Sequence, residues 1–232
     1  MNLQSISNVM LKDGVDNLQK CFPSIKKLTL HCDKDNECHF ELLPYLETLK
    51  LTGMSLRHNQ ISFPATLKKL TLVDCFLPWS NMSIIHPLPN LEVLKLKSNA
   101  FMGRQWDACE QQFRQLKLLT LESLNIKHWE ASSTSFPCLK QLSLLNCDDL
   151  EEIPLEIGEI ATLELIETDS WNDSVVESVK RIQQEQHDVG NYDLKINVDG
   201  MDLSFYLSLS EGSKSKRLLA KLLSRHKKQL ML

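Results

Sequence analysis

The side chains best able to hold a metal are two adjacent pairs, His31-Cys32 and Cys38-His39. Two histidines and two cysteines make a set that zinc takes in tetrahedral sites. Two adjacent pairs do not readily converge on one ion, however, and His31-Cys32 falls at the end of an expected strand. Asp33, Asp35 and Asn36 offer oxygens in the manner of a calcium loop, without its central glycine and terminal glutamate. No Gly-x-x-x-x-Gly-Lys segment is present to cradle phosphates, and no His-Glu-x-x-His to hold a catalytic metal. No Ser/His/Asp or Cys/His set can be assigned. The expectation is therefore a protein with no catalytic residues, metal or cofactor. Its chemistry is charge: lysines that recur along the chain and suit an acidic protein surface.

Those lysines ride on a ladder. The pattern Leu-x-x-Leu-x-Leu restarts at Leu3, Ile25, Leu46, Leu67, Leu91, Leu116, Leu139 and Ile160, at steps of 21 to 25 residues. That period marks a leucine-rich repeat. A single unit cannot bury its own apolar face, so the units must stack. The fold class expected is α/β: a horseshoe-shaped solenoid with a parallel concave sheet, an irregular convex side, and a C-terminal capping helix and strand. Residues 1–168 would hold about eight units, residues 169–198 the cap, and residues 199–232 a basic tail, amphipathic or disordered.

The unit at Leu67 shows the design. Leu70 and Leu72 alternate with Lys69, Thr71 and Val73, which makes a strand with its leucines on one side. Cys75 and Leu77 then turn inward. The unit at Leu91 uses Leu94, Leu96, Asn99 and Phe101 in the same places, and that at Leu139 uses Leu142, Leu144, Cys147 and Leu150. The first unit is degenerate, with Asn8 where an inward leucine is expected. Most strands follow an apolar residue and a proline, as at Phe22-Pro23, Leu43-Pro44, Phe63-Pro64, Leu88-Pro89 and Phe136-Pro137. Proline lacks a donor and suits the start of a strand. The apolar partners, with Phe113, form a second spine. Trp79, Trp106, Trp129 and Trp171 fall beyond the strands and read as wedges filling the turns. Ser174-x-x-Glu177 has the form of a capping box. Val175, Val176, Val179 and Ile182 share one helical face after it, Gly190 is a stop, and Tyr192, Leu194, Ile196 and Val198 alternate as a last strand. The N-terminal end has no matching cap, which reads as a piece of, or a descendant of, a longer protein.

Outward residues of stacked strands form columns about 4.8 Å apart. One column reads Lys26, Glu47, Lys68, Glu92, Lys117 and Lys140; its alternating signs allow neighbours to pair. The next columns bring Lys27 and Lys69, then Lys50 and Lys95, then Lys97 and Glu122. The candidate protein-binding face is thus Lys27, Lys50, Lys69, Lys95 and Lys97, flanked by Lys26, Lys68 and Glu122. Lysine without arginine or exposed aromatics lacks the means for bidentate base readout and base stacking, so nucleic acid is not expected.

The formal net charge of −4 hides an asymmetry. In the tail, Leu218, Leu219, Leu222, Leu223 and Leu230 share one helical arc, with Arg217, Lys221, Arg225 and Lys228 mostly opposite. Such a segment can touch an anionic membrane or a partner groove. Seven cysteines at irregular spacings suggest free thiols in a reducing compartment. No run of about 18 apolar residues spans a membrane, and Met1 to Lys20 lacks the form of a secretory signal.

The block from Phe136 to Cys147, with the run from Leu150 to Leu163, strongly resembles the C-terminal repeats of plant intracellular immune receptors. The likeness is to the late-blight-resistance type of coiled-coil NLR from the nightshade family. Ser174 to Asn191, with Arg181-Ile-Gln-Gln-Glu-Gln186, is similar to that family's closing segment; residues 199–232 do not fit it. The resemblance implies a cytoplasmic protein-interaction module that senses a pathogen effector or a guarded host protein. It also implies that such repeats restrain the nucleotide-binding module of the parent receptor, which this sequence does not contain. An alternative on the same fold is the substrate-recruiting arm of an F-box-type ubiquitin ligase.

Overall fold

Alternating leucine and polar residues give each strand two unlike sides, and the leucine sides meet when strands stack in register. In the computed structural model, which describes residues 3–11, 15–32, 38–53, 61–109 and 112–204, ten strands form one sheet in chain order. They are β1 (Ser5–Leu11), β2 (Lys27–Cys32), β3 (Thr48–Thr52), β4 (Lys69–Val73), β5 (Val93–Lys97), β6 (Leu118–Glu122), β7 (Gln141–Leu145), β8 (Leu165–Thr168), β9 (Lys195–Val198) and β10 (Met201–Asp202). Neighbours pair parallel throughout, except β9 with β10, which are antiparallel. The α-helices among the described residues are α1 (Val15–Cys21) and α2 (Asp173–Asp188). The molecule is a mixed α/β protein, consistent with a repeat solenoid.

The register aligns Leu28, Leu49, Leu70, Leu94, Leu119, Leu142 and Ile166 across β2 to β8. Every one of them is at most 1% exposed. Fully burying each such side chain contributes about 1.5–3 kcal/mol, which makes this column the main source of cohesion between units. The second spine stands behind it: Leu43, Phe63, Leu88, Phe113 and Phe136 are all buried, and the rings of Phe113 and Phe136 stack at 5.1 Å.

The last repeat unit begins at Leu163 and not at Ile160. Leu142 faces Ile166 and Leu144 faces Thr168, so the last unit reads Leu163, Ile166, Thr168. Ile160, 4% exposed, occupies the second-spine position three residues before the strand, as Phe136 does before Leu139. An isoleucine and two leucines at the right intervals imitated the pattern one helical step too early. In the first unit the pairing shifts between Ile6 and Val9, so that Val9 stands opposite Leu30 and Asn8 is passed over. In the unit at Leu91, Asn99 is exposed and Ala100 is buried in its stead. Ser98 and Asn99 both take positive φ, 44° and 56°, where the unit at Leu67 has Asp74 and Phe76 left-handed, and this turns Asn99 outward without adding a residue.

Three tryptophans do fill the turns. Trp79, Trp106 and Trp129 stack in sequence, with ring centroids 5.0 Å and 5.5 Å apart and planes within 10° and 4° of parallel. The Trp79 indole donates to the Gly103 carbonyl at 2.9 Å. Trp171 stands apart, half exposed.

β3 to β7 each leave the sheet through a left-handed residue: Gly53, Asp74, Ser98, Ser123 and Asn146 all have φ between 44° and 71°. The amide there reaches forward to the next unit. Gly53 N donates to Val73 O, Ser98 N to Glu122 O and Ser123 N to Leu145 O, at 2.8–3.1 Å. At the end of the stack a carboxylate replaces the carbonyl: Asn146 N donates to Asp169 Oδ2 at 2.5 Å. Burial pushes the Asp169 carboxyl up, while the amides of Asn146 and Trp171 oppose the shift.

The closing helix buries Val175, Val176, Val179 and Ile182, and Gly190 follows it at φ 80°. Its N-cap is Asn172, not the Ser174 of the capping-box pattern. Asn172 Oδ1 accepts from Ser174 N at 2.9 Å and Val175 N at 3.3 Å. Its amide group meanwhile donates to the carbonyls of Cys147, Asp148 and Leu150 at 2.7–3.2 Å. Asparagine can cap the helix and bind the preceding unit at once, which serine has no second polar group to do. Tyr192 is 72% exposed and lies outside β9, whereas Leu194, Ile196 and Val198 are buried. The β9–β10 hairpin carries the sheet past residue 198, and Leu203 is fully buried.

Candidate functional site

A strand with one side in the core presents the other to solvent, so the sheet has an open face of outward columns. The registers place the candidate residues on it. Lys27, Thr48, Lys69, Val93, Leu118, Gln141 and Leu165 form one row across β2 to β8. Thr29, Lys50, Thr71, Lys95, Thr120, Ser143 and Glu167 form the next. Lys27 and Lys69 therefore stand two strands apart, about 10 Å, and Lys50 sits between them one row further on.

The cations on this face fall into two groups. At the start of the strands, Glu47 lies between Lys26 at 3.8 Å and Lys68 at 3.2 Å, Lys117 meets Glu92 at 3.3 Å, and Lys140 meets Glu164 at 2.5 Å. The Glu47 carboxyl is held below the ordinary glutamate range, first by the Lys68 hydrogen bond and charge and then by Lys26. Exposed pairs like these contribute about 0–1 kcal/mol each. Lys97 on β5 is likewise held by Glu122 on β6, at 2.5 Å. The remaining four, Lys27, Lys50, Lys69 and Lys95, have no acid within ion-pair distance among the described residues. The sequence alone could not separate these groups, because a side chain's partner depends on the register of its neighbours.

The possible metal ligands are scattered. His31 Nδ1 lies 3.2 Å from Thr52 Oγ1, and His39 Nδ1 lies near Glu41 at 3.2 Å and Ser62 at 3.4 Å. Cys38 is fully buried in the core. The Cys32 side chain and residues 33–37 lie outside the described residues, as do Arg217, Lys221, Arg225 and Lys228. A group that the sequence did not reveal comprises Asp107, Cys109 and Glu130, whose ligand atoms all lie within 4.8 Å of one another at the surface. Burial and the adjacent Asp107 push the Cys109 thiol up. Cys75 and Cys147 point inward; each thiol donates to backbone carbonyls, and burial pushes Cys147 up to about 11. Among the described residues no helix is long and apolar enough to cross a membrane.

No family model matches the chain. Curated relatives do. Over 128 residues the chain is 41% identical to late blight resistance protein homolog R1B-13 of Solanum demissum, which takes in 54% of this chain and 11% of that protein. Over 214 residues it is 34% identical to homolog R1B-16 of the same species, taking in 84% of this chain and 16% of that protein. The chain belongs to the late blight resistance protein family. It spans only a small part of the length of these late blight resistance relatives.

Proposed function

We propose that this chain is the protein-interaction region of a plant disease-resistance receptor, and that the open face of its sheet is the docking surface. In this reading residues 1–168 are the repeats of a horseshoe, the open face is its concave wall, and residues 169–198 are its cap. One observation carries it: among the described residues Lys27, Lys50, Lys69 and Lys95 have no acid within ion-pair distance, while the lysines at the strand starts do. A solubilising surface has no reason to sort its lysines this way. Four ammonium groups within three strand spacings, about 14 Å, offer a complementary field to an acidic protein surface and speed its approach.

The acidic partner is a pathogen effector, a guarded host protein, or the nucleotide-binding module of the parent receptor, and the site of action is the cytoplasm. The tail residues Arg217, Lys221, Arg225 and Lys228 add a membrane or partner contact. The test uses the nucleotide-binding module of a late-blight-resistance relative, made as a separate piece. Titrated against this chain, it binds more weakly as salt rises, and K50E/K69E/K95E abolishes the salt-dependent part. Equal affinity of wild type and variant at low and high salt would retire the lysine face.

A further inference from the structure

The open face changes character along the sheet. From β2 to β5 the groups left unsatisfied are cations: Lys27, Lys50 and Lys69, all exposed, and Lys95, half buried. From β6 to β8 the outward residues carry two carboxylates and no cation: Glu122 is paired with Lys97, and Glu167 is hydrogen-bonded but keeps its charge. Lys97 is taken by Glu122 at 2.5 Å, and Gln141 donates to Glu167 at 2.8 Å. Apolar residues make up most of the row beside them. Val93, Leu118 and Leu165 lie in the row that begins with Lys27, and all three, with Leu145, are half buried. In the next row of the same face Thr120 and Ser143 are only 6% and 7% exposed.

Resting on the docking surface proposed above, we infer that its occupant is a single protein segment with an acidic end and an apolar end, lying across the strands. The acidic end sits over β2 to β5, where it neutralises lysines that no acid pairs with among the described residues. The apolar end sits over β5 to β8 against Val93, Leu118 and Leu165. Three strand spacings on each side of β5 give a footprint about 29 Å long. A helix of about 20 residues has that length. The two halves do different work. Charge at one end steers and orients the segment, and burial of apolar area at the other holds it. A uniformly acidic partner would leave the apolar half in water, and a uniformly apolar one would desolvate four unpaired lysines.

The test uses two designed peptides of about 20 residues and equal composition, one with its glutamates and leucines in separate blocks and one with them interleaved. Binding to the full chain is followed by fluorescence polarisation. The block peptide is expected to bind at least tenfold more tightly. K27E/K50E/K69E abolishes the salt dependence, whereas V93T/L118T weakens binding about tenfold and leaves the salt dependence unchanged. Equal affinity for both peptides, or no effect of V93T/L118T with lysine dependence intact, overturns the two-ended segment and leaves the acidic docking reading standing. Block-peptide binding that ignores the lysine reversal, or no binding of either peptide, overturns both. Thermal melting checks that each variant folds; if V93T/L118T does not, the comparison of the two peptides on the unaltered chain still decides.

Discussion

Lys97 Nζ on β5 lies 2.5 Å from Glu122 Oε2 on β6, and this pair marks where the open face passes from basic to apolar. Lys97 was among the residues expected to bind a partner, yet its charge is already answered from the adjacent strand. Its contribution should therefore differ from that of its neighbours. Lys97→Met is expected to change affinity for an acidic partner by less than about twofold, while Lys27→Glu, Lys50→Glu and Lys69→Glu together weaken it more than about tenfold at low salt. Titration calorimetry at two salt concentrations distinguishes the two cases. Comparable losses from both would show that the Lys97–Glu122 pair is broken in solution.

The leucine column supplies the second prediction. Leu70 is fully buried between Leu49 and Leu94. Leu70→Asp places a carboxylate there with no partner, and the expected loss is about 3–5 kcal/mol of unfolding free energy. Denaturant unfolding measures it. A midpoint equal to wild type would mean that the strand register is wrong.

Asn172 and Ser174 provide a contrast within one turn of chain. Asn172→Ala removes the cap of α2 and leaves three carbonyls of the preceding unit without their donor. The expected cost is about 2 kcal/mol or more. Ser174→Ala at an exposed position costs within about 0.5 kcal/mol. Were the serine change the larger of the two, the cap would have to be reassigned.

The pH dependence of Glu47 follows from Lys68. The carboxyl is lowered in the folded chain, chiefly by the Lys68 hydrogen bond and charge, so its folded value lies below its unfolded one. The pairing therefore adds stability above the unfolded glutamate's range, and that contribution is lost as pH falls through the lowered value. An NMR titration should find Glu47 titrating below an ordinary glutamate, and Lys68→Met should return it toward the ordinary range. A titration that Lys68→Met leaves unchanged would exclude the contact.

Much of the fold was legible because one kind of signal recurs. Leu28, Leu49, Leu70, Leu94, Leu119 and Leu142 each sit at the same place in their unit, and any one of them predicts the others. The misreadings fall where that redundancy runs out. Ile160 and Leu163 are both aliphatic and three residues apart, so either can begin the last unit, and only the pairing of β7 with β8 decides between them. Asn99 looks like an inward turn residue because nothing in the sequence shows that two successive left-handed residues turn it outward. Ser174 fitted a capping rule that sees only local spacing, while the carbonyls that select Asn172 lie over 20 residues away. The candidate face was legible in its outline: the columns could be listed, but which lysines had acidic partners depended on rotamers across neighbouring strands.

The forward-reaching amides of the strand ends impose an order in time. The donors of Gly53, Ser98 and Ser123 meet their acceptors only on the following unit. On a ribosome, then, each rung waits for its successor to be made, and closure trails elongation by about one repeat. Asp199 N instead reaches back to Thr168 O, made some 30 residues before it. That contact closes on a unit already made, so it needs no successor.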